Sequence, residues 1–408
     1  MSKSEDRSDV DLVQLLTPTG ERLDHPEYAP LVAHLDAAAL RGLYRDMVLV
    51  RRFDSEATSL QRQGELGLWA QCLGQEAAQV GSGRALAPQD FAFPSYREHG
   101  VAHTRGVDLA DVLLQFRGVD HGGWDPNAHN FQLYTLVIGS HTLHATGYAM
   151  ALQRDGLVGT GDAARDAAVI TYFGDGATSQ GDVNEALVFA AVNNAPVVLF
   201  CQNNQWAISE PTTRQTRVPI AARGDGFGIP NVRVDGNDVL ASHAVTLEAL
   251  ERARSGGGPT LIEAYTYRMG AHTTSDDPTR YRSAAEEEHW RRLDPIDRLR
   301  AHLVAESELP DDFQAELDAE AAALGARIRA TVRALGKPPT SRMFEHVYAT
   351  PHTIVEAERA FFERYEASFA DSDPTTAAAG THPHATHTPA SQDPAMSHAP
   401  QSAAGRSL

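Results

Sequence analysis

The sequence predicts an α/β protein: a doubly wound, mostly parallel sheet flanked by helices. Three observations predict it. Residues 167–173 (AAVITYF) and 196–201 (PVVLFC) are near-continuous apolar runs, as expected of strands buried on both faces. Between them, residues 180–194 place Val183, Ala186, Leu187 and Ala190 on one face of a helix. A second passage of the same kind follows, with a strand around Val232–Val234, a turn at Asp235-Gly236, a helix near 238–254 and a strand at 260–264.

The flanks differ from this middle. Residues 1–34 are polar and punctuated by Pro18, Pro26 and Pro30, and read as an arm. The globular domain is expected over 35–365, where residues 311–336 read as a surface helix rich in Ala and Glu. The tail at 371–408 is rich in Ala, Thr, Ser, Pro and His and has no aliphatic cluster to offset its ordering entropy, so it reads as disordered. His382, His384 and His387 lie in it, more in keeping with a solvated run than with a metal site.

Whole-chain properties narrow the class. The chain has 408 residues, 42% of them hydrophobic, and a formal net charge of −19. The acidic excess argues against nucleic acid or an anionic membrane as a partner. Cys72 and Cys201 read as two reduced thiols of a cytoplasmic protein, and the charged N-terminus shows no signal peptide.

Chemistry concentrates where the first two strands end. Gly174-Asp175-Gly176-Ala177 follows the first and Asn203-Asn204 follows the second, about thirty residues later, which is what one strand–helix–strand passage consumes. Both groups therefore emerge at one edge of the sheet, the edge where open parallel sheets bind ligands. Asp175 offers an anionic oxygen, Asn204 an amide oxygen and Trp206 a backbone carbonyl. Mg²⁺ takes a few such ligands from protein and the rest from phosphate and water. Gly174 and Gly176 let the backbone approach closely. Read alone, Gly-Asp-Gly is a turn; the pairing with the double Asn favours a metal site.

Four stretches in order resemble the alpha subunit of the thiamine diphosphate-dependent decarboxylating component of 2-oxoacid dehydrogenase complexes: FPSYREHG (93–100), GDGATSQGD (174–182), QNNQWAISEP (202–211) and the segment from Tyr267 to Ser283 with RMGAHTTSDDPTRYRS. The resemblance runs from about residue 35 to 365. It implies thiamine diphosphate and Mg²⁺ as cofactors, with Asp175, Asn204 and the Trp206 carbonyl as metal ligands. It implies that Tyr96 and Arg97 contact the diphosphate and that Gly174, Gly176, Ala177 and Gln202 make further contacts. Leu136 and Ile138 match the segment against the aminopyrimidine, and His272 a histidine near the diphosphate and the reacting substrate. Read without the resemblance, Ile138 is equally a core residue and Arg97 a surface ion pair. A potassium ion bound in some relatives is put in doubt by His141. Thr273 and Ser283 fall where mammalian relatives are phosphorylated, which does not imply a kinase here.

The family resemblance also implies partners. A beta subunit carries the glutamate that activates the cofactor, in an assembly of two alpha and two beta chains, and the acyl group passes to the lipoyl domain of the acyltransferase component. Among oxoacids the motifs lean to branched-chain substrates, with pyruvate close behind. The alternatives are acetoin dehydrogenase, a transketolase-like enzyme, or a non-catalytic α/β binding protein.

Overall fold

A computed structural model describes residues 12–369. The first eleven residues of the arm and the tail at 371–408 lie outside the described residues. The chain divides into two compact units between Lys337 and Pro338.

The first unit is built on a five-stranded sheet in the order β1-β2-β3-β7-β6. Its strands are β1 (Phe91–Phe93), β2 (Val169–Gly174), β3 (Val197–Asn203), β6 (Asn231–Asp235) and β7 (Thr260–Tyr265). Every pairing within it is parallel, as continuous apolar strands require. A two-stranded antiparallel hairpin, β4 (Trp206–Ala207) with β5 (Glu210–Pro211), follows β3 directly. β2 and β3 are neighbours with Gly174 opposite Gln202, so the two motifs leave the sheet side by side. The predicted strands and crossover helices are present within a few residues. β1 is the strand the apolar pattern does not show, because three residues are too short to carry a period.

Helices cover both faces. On one lie α1 (Ala37–Arg62), α2 (Glu76–Ala85) and α5 (Val239–Arg254); on the other pack α3 (Ser140–Arg154) and α4 (Gly181–Val192). The buried residues of α4 are Val183, Ala186, Leu187 and Ala190, the face read from sequence. Helix α6 (Phe313–Ala334) corresponds to the stretch read as a surface helix, but it buries a stripe of Leu317, Ala321, Gly325, Ile328 and Val332. It packs on α1, where Tyr44 donates to Gln314 at 2.8 Å.

Residues 12–34 are tied to the first unit. Val13 bridges Val234 in parallel, and Leu15 and Leu16 are buried. One side chain makes this possible. Asp238 caps α5 through Oδ1, accepting from Leu240 N and Ala241 N at 3.0 Å. Its Oδ2 accepts from the backbone N–H groups of Leu15 and Leu16 at 2.7 and 2.6 Å. Cys72 and Cys201 are both buried and free. No helix among the described residues is long and apolar enough to cross a membrane. The second unit contains α7 (Thr353–Ala367), and none of its described residues is buried.

Candidate functional site: a cation-lined cavity at the sheet edge

A cavity of about 300 Å³ opens at the C-terminal ends of β2 and β3. Eleven of the twelve residues singled out in sequence line it: Tyr96, Arg97, Ile138, Gly174, Asp175, Gly176, Ala177, Gln202, Asn204, Trp206 and His272. Leu136 does not; it is 58% exposed. Gly176 is required by close approach, since a Cβ there would meet Ala207 Cβ at 2.7 Å.

Three oxygens suited to a hard cation face one region. Asp175 is buried, and Thr212 Oγ1 and Gln215 Nε2 both donate to its Oδ2, at 3.0 and 2.9 Å, which leaves Oδ1 for a cation. Burial pushes its carboxyl above the usual range, and those two hydrogen bonds oppose the rise. Asn204 donates through Nδ2 to Gln75 Oε1 at 3.1 Å, which leaves its amide oxygen toward Trp206, whose N–H donates to it at 3.3 Å. The Trp206 carbonyl accepts from Arg268 Nη1 at 2.7 Å, but a carbonyl has a second lone pair. The loop that presents it is held in an unusual backbone: Gln205 and Ile208, on either side, have φ of 71° and 56°. For a β-branched residue such as isoleucine that conformation is strained.

Two guanidiniums converge beside these oxygens. Arg97 donates to the carbonyls of Gln71 and His272. Arg268 donates to the carbonyls of Trp206 and Ile208 and to the Tyr281 hydroxyl. Neither has a carboxylate among its hydrogen-bond partners. Burial and the nearby Arg97 lower the Arg268 pKa to about 10. His272 Nδ1 lies 3.3 Å from Arg97 Nη2 and 3.2 Å from Arg268 Nη1. Both neighbours can only donate, so Nδ1 accepts and the ring proton is on Nε2. Burial first, then the two cations, lower the His272 pKa to about 3. The imidazole is therefore neutral at physiological pH.

Arg268, Glu98 and Gln75 also line the wall, with Thr212 and Gln215 behind Asp175, and sequence reading does not assign them to the site; His141, noted in sequence only against a potassium ion, lines it too. Arg268 and Glu98 lie inside the motif stretches, yet nothing in their spacing marks them. His141 donates from Nε2 to the Tyr172 carbonyl at 2.6 Å.

The arrangement fits a metal-bound diphosphate. Among the described residues no group of three or more His, Cys, Asp or Glu side chains gathers to hold a metal ion. A cation at Asp175 and Asn204 must therefore take ligands from elsewhere, as Mg²⁺ does from phosphate oxygens. The two guanidiniums without a carboxylate partner would supply the countercharge. Gln75 Nε2, His141 Nδ1 and Arg268 Nε are buried without a hydrogen-bond partner, as expected of a wall whose ligand is a separate molecule.

Comparison with known proteins agrees. The family model described as "Dehydrogenase E1 component" matches residues 44–334. The "3-methyl-2-oxobutanoate dehydrogenase subunit alpha" of Mycobacterium tuberculosis (strain ATCC 25618 / H37Rv) is 45% identical over 370 residues, 90% of this chain and 96% of that protein. The "Pyruvate dehydrogenase E1 component subunit alpha" of Acholeplasma laidlawii is 40% identical over 320 residues, covering 77% and 90%. The "2-oxoisovalerate dehydrogenase subunit alpha 2, mitochondrial" of Arabidopsis thaliana is 36% identical over 357 residues, covering 85% and 73%. With more than half of its length matched by the family model, and with relatives of this identity aligned over most of their own length, the chain belongs to the dehydrogenase E1 component family.

Proposed function

We propose that this chain is the alpha subunit of a branched-chain 2-oxoacid dehydrogenase component, and that the sheet-edge cavity is its half of the active site. The observation that carries the reading is the meeting of Asp175, Asn204 and the Trp206 carbonyl with two guanidiniums that have no carboxylate partner. The 45% identity over 90% of the chain to the 3-methyl-2-oxobutanoate relative supports the branched-chain substrate, while the 2-oxoisovalerate relative at 36% falls below the pyruvate relative at 40%.

The family depends on thiamine diphosphate with Mg²⁺. When bound, this cofactor supplies the electron sink for decarboxylation. The chain's own residues bind and orient. Asp175 and Asn204, with the Trp206 carbonyl, would hold the metal, and Tyr96 and Arg97 the diphosphate. Gly174, Gly176, Ala177 and Gln202 line the wall against it, while Leu136 and Ile138 would meet the aminopyrimidine. His272, locked with Nδ1 as an acceptor, offers Nε2–H as a donor and does not serve as a base at neutral pH.

The carboxylate that activates the cofactor is assigned to a beta chain, in an assembly of two alpha and two beta chains, with the acyl group passed to the lipoyl domain of the acyltransferase component. The test is decarboxylation of 3-methyl-2-oxobutanoate and pyruvate by this chain alone and with its beta chain. The expected result is turnover only by the complex, with the higher kcat/KM for 3-methyl-2-oxobutanoate. Full turnover by the lone chain overturns the shared site, and a preference for pyruvate overturns the substrate.

A further inference from the structure

Glu98 lies in the same cavity wall, 1% exposed, and the reading above leaves it without a task. Its Oε1 accepts from Gln202 Nε2 at 2.7 Å. Its Oε2 accepts from Ser95 Oγ at 2.8 Å and from the Arg97 backbone N–H at 3.4 Å. None of these donors is a cation. The Arg97 guanidinium turns instead to the carbonyls of Gln71 and His272. A buried carboxylate without a paired cation is costly to keep charged, and burial pushes this carboxyl above the usual range.

The hydrogen bonds from Ser95 and the Arg97 N–H, and the charge of the Arg97 guanidinium, oppose this rise without cancelling it. The Tyr134 and Tyr172 phenols are held neutral, chiefly by burial. His99, next in the chain, is also neutral: burial lowers its pKa to about 3. Its Nε2 donates to the Ala70 carbonyl and its Nδ1 accepts from Tyr134. The same cavity is lined by Arg97, Arg268, the neutral His272 and Asp175. A diphosphate placed there sets a second anion against Glu98.

We propose that Glu98 takes up a proton as the diphosphate binds, and that this turns the Ser95 hydroxyl into a donor to the ligand; the inference rests on the reading of the cavity as a diphosphate site. The proton comes from solvent and lands on Oε2. A carboxylic acid donates where a carboxylate only accepts, and a hydroxyl can reverse its role. Ser95 Oγ then accepts from Glu98, and its own hydrogen is freed toward the cavity that Ser95 lines. Gln202 keeps its orientation throughout, because Gln79 Nε2 donates to its Oε1 at 3.0 Å and its Nε2 still donates to Glu98 Oε1. One N–H of the amide remains for the ligand. Glu98 is thus a positioning residue for both Gln202 and Ser95.

The test is calorimetric titration of the alpha–beta complex with thiamine diphosphate and Mg²⁺, near neutral pH, in two buffers of different ionisation enthalpy. The cofactor's own ionisation in solution is subtracted. Wild type takes up about one proton more per cofactor than Glu98→Gln, and its affinity falls by up to about tenfold per pH unit above the free-state pKa. Ser95→Ala weakens binding with the proton count unchanged. Equal counts in wild type and Glu98→Gln overturn the proposal. Should Glu98→Gln fail to fold, a flat affinity of wild type across the pH range overturns it as well. Binding with no proton difference leaves the diphosphate site standing, whereas no binding by any form removes both.

Discussion

The polar half of the candidate site, at the sheet edge, and its apolar half, at 136–138, are built differently. At the sheet edge, Asp175, Gln202 and Asn204 are 2, 2 and 7% exposed, and each is held by side-chain hydrogen bonds from other elements. In the apolar half, Leu136, Val137 and Ile138 are 58, 68 and 38% exposed, and of the three Ile138 lines the cavity. A metal and a diphosphate tolerate little misplacement, and a wall set by this chain's own fold suits the proposed ligands. An apolar contact needs only a matching cover. Three consecutive large apolar side chains left in solvent are what the proposed beta chain would cover. The polar half is thus held in place by this chain's own contacts, whereas the apolar half stands open to solvent.

Asp175→Asn tests the polar half with the largest expected effect. Burial already disfavours the charged form of Asp175, so a neutral residue should not lower the Tm of the lone chain. In the alpha–beta complex the Mg²⁺-dependent stabilisation by thiamine diphosphate should vanish; for wild type it is roughly 2.7 kcal/mol at a hundredfold excess over Kd. A retained shift in a thermal melt would place the metal elsewhere.

Arg268→Met should weaken cofactor binding about tenfold, the value of one charge-assisted hydrogen bond. The same change removes one of two cations against the imidazole, so the His272 pKa should rise from about 3 toward the ordinary histidine range. An NMR titration of the ring protons reads this directly, and an unmoved His272 would deny the two guanidiniums their role.

Leu136→Ser sharpens the apolar half with the smallest effect. Stability of the lone chain, from denaturant unfolding, should stay within about 0.5 kcal/mol. Assembly with the beta chain should weaken by about 1 kcal/mol, read as its dissociation constant. A loss of several kcal/mol in the lone chain would make Leu136 part of its own core and break the comparison.

The strands and crossover helices of the sheet were legible because their periodicity is local. Val183, Ala186, Leu187 and Ala190 face inward in α4 as the spacing predicts. Asp175 and Asn204 were legible because the residues that end two adjacent strands must emerge together. Arg268 was not: it reaches the Trp206 carbonyl through a fold-dependent approach that no spacing encodes. Leu15 and Leu16 were hidden in the same way, since the oxygen that takes their backbone N–H groups belongs to Asp238, more than two hundred residues on.

Local pattern was enough to read the parallel sheet, the edge where the two motifs emerge, and the side-chain types gathered there. These follow from which side chains are apolar and how often they recur. Tertiary structure alone decided that His272 is neutral, that two guanidiniums lack carboxylate partners, and that Glu98 is buried beside them without a paired cation. Burial and charge pairing are properties of the space around a side chain, and distant segments fill that space.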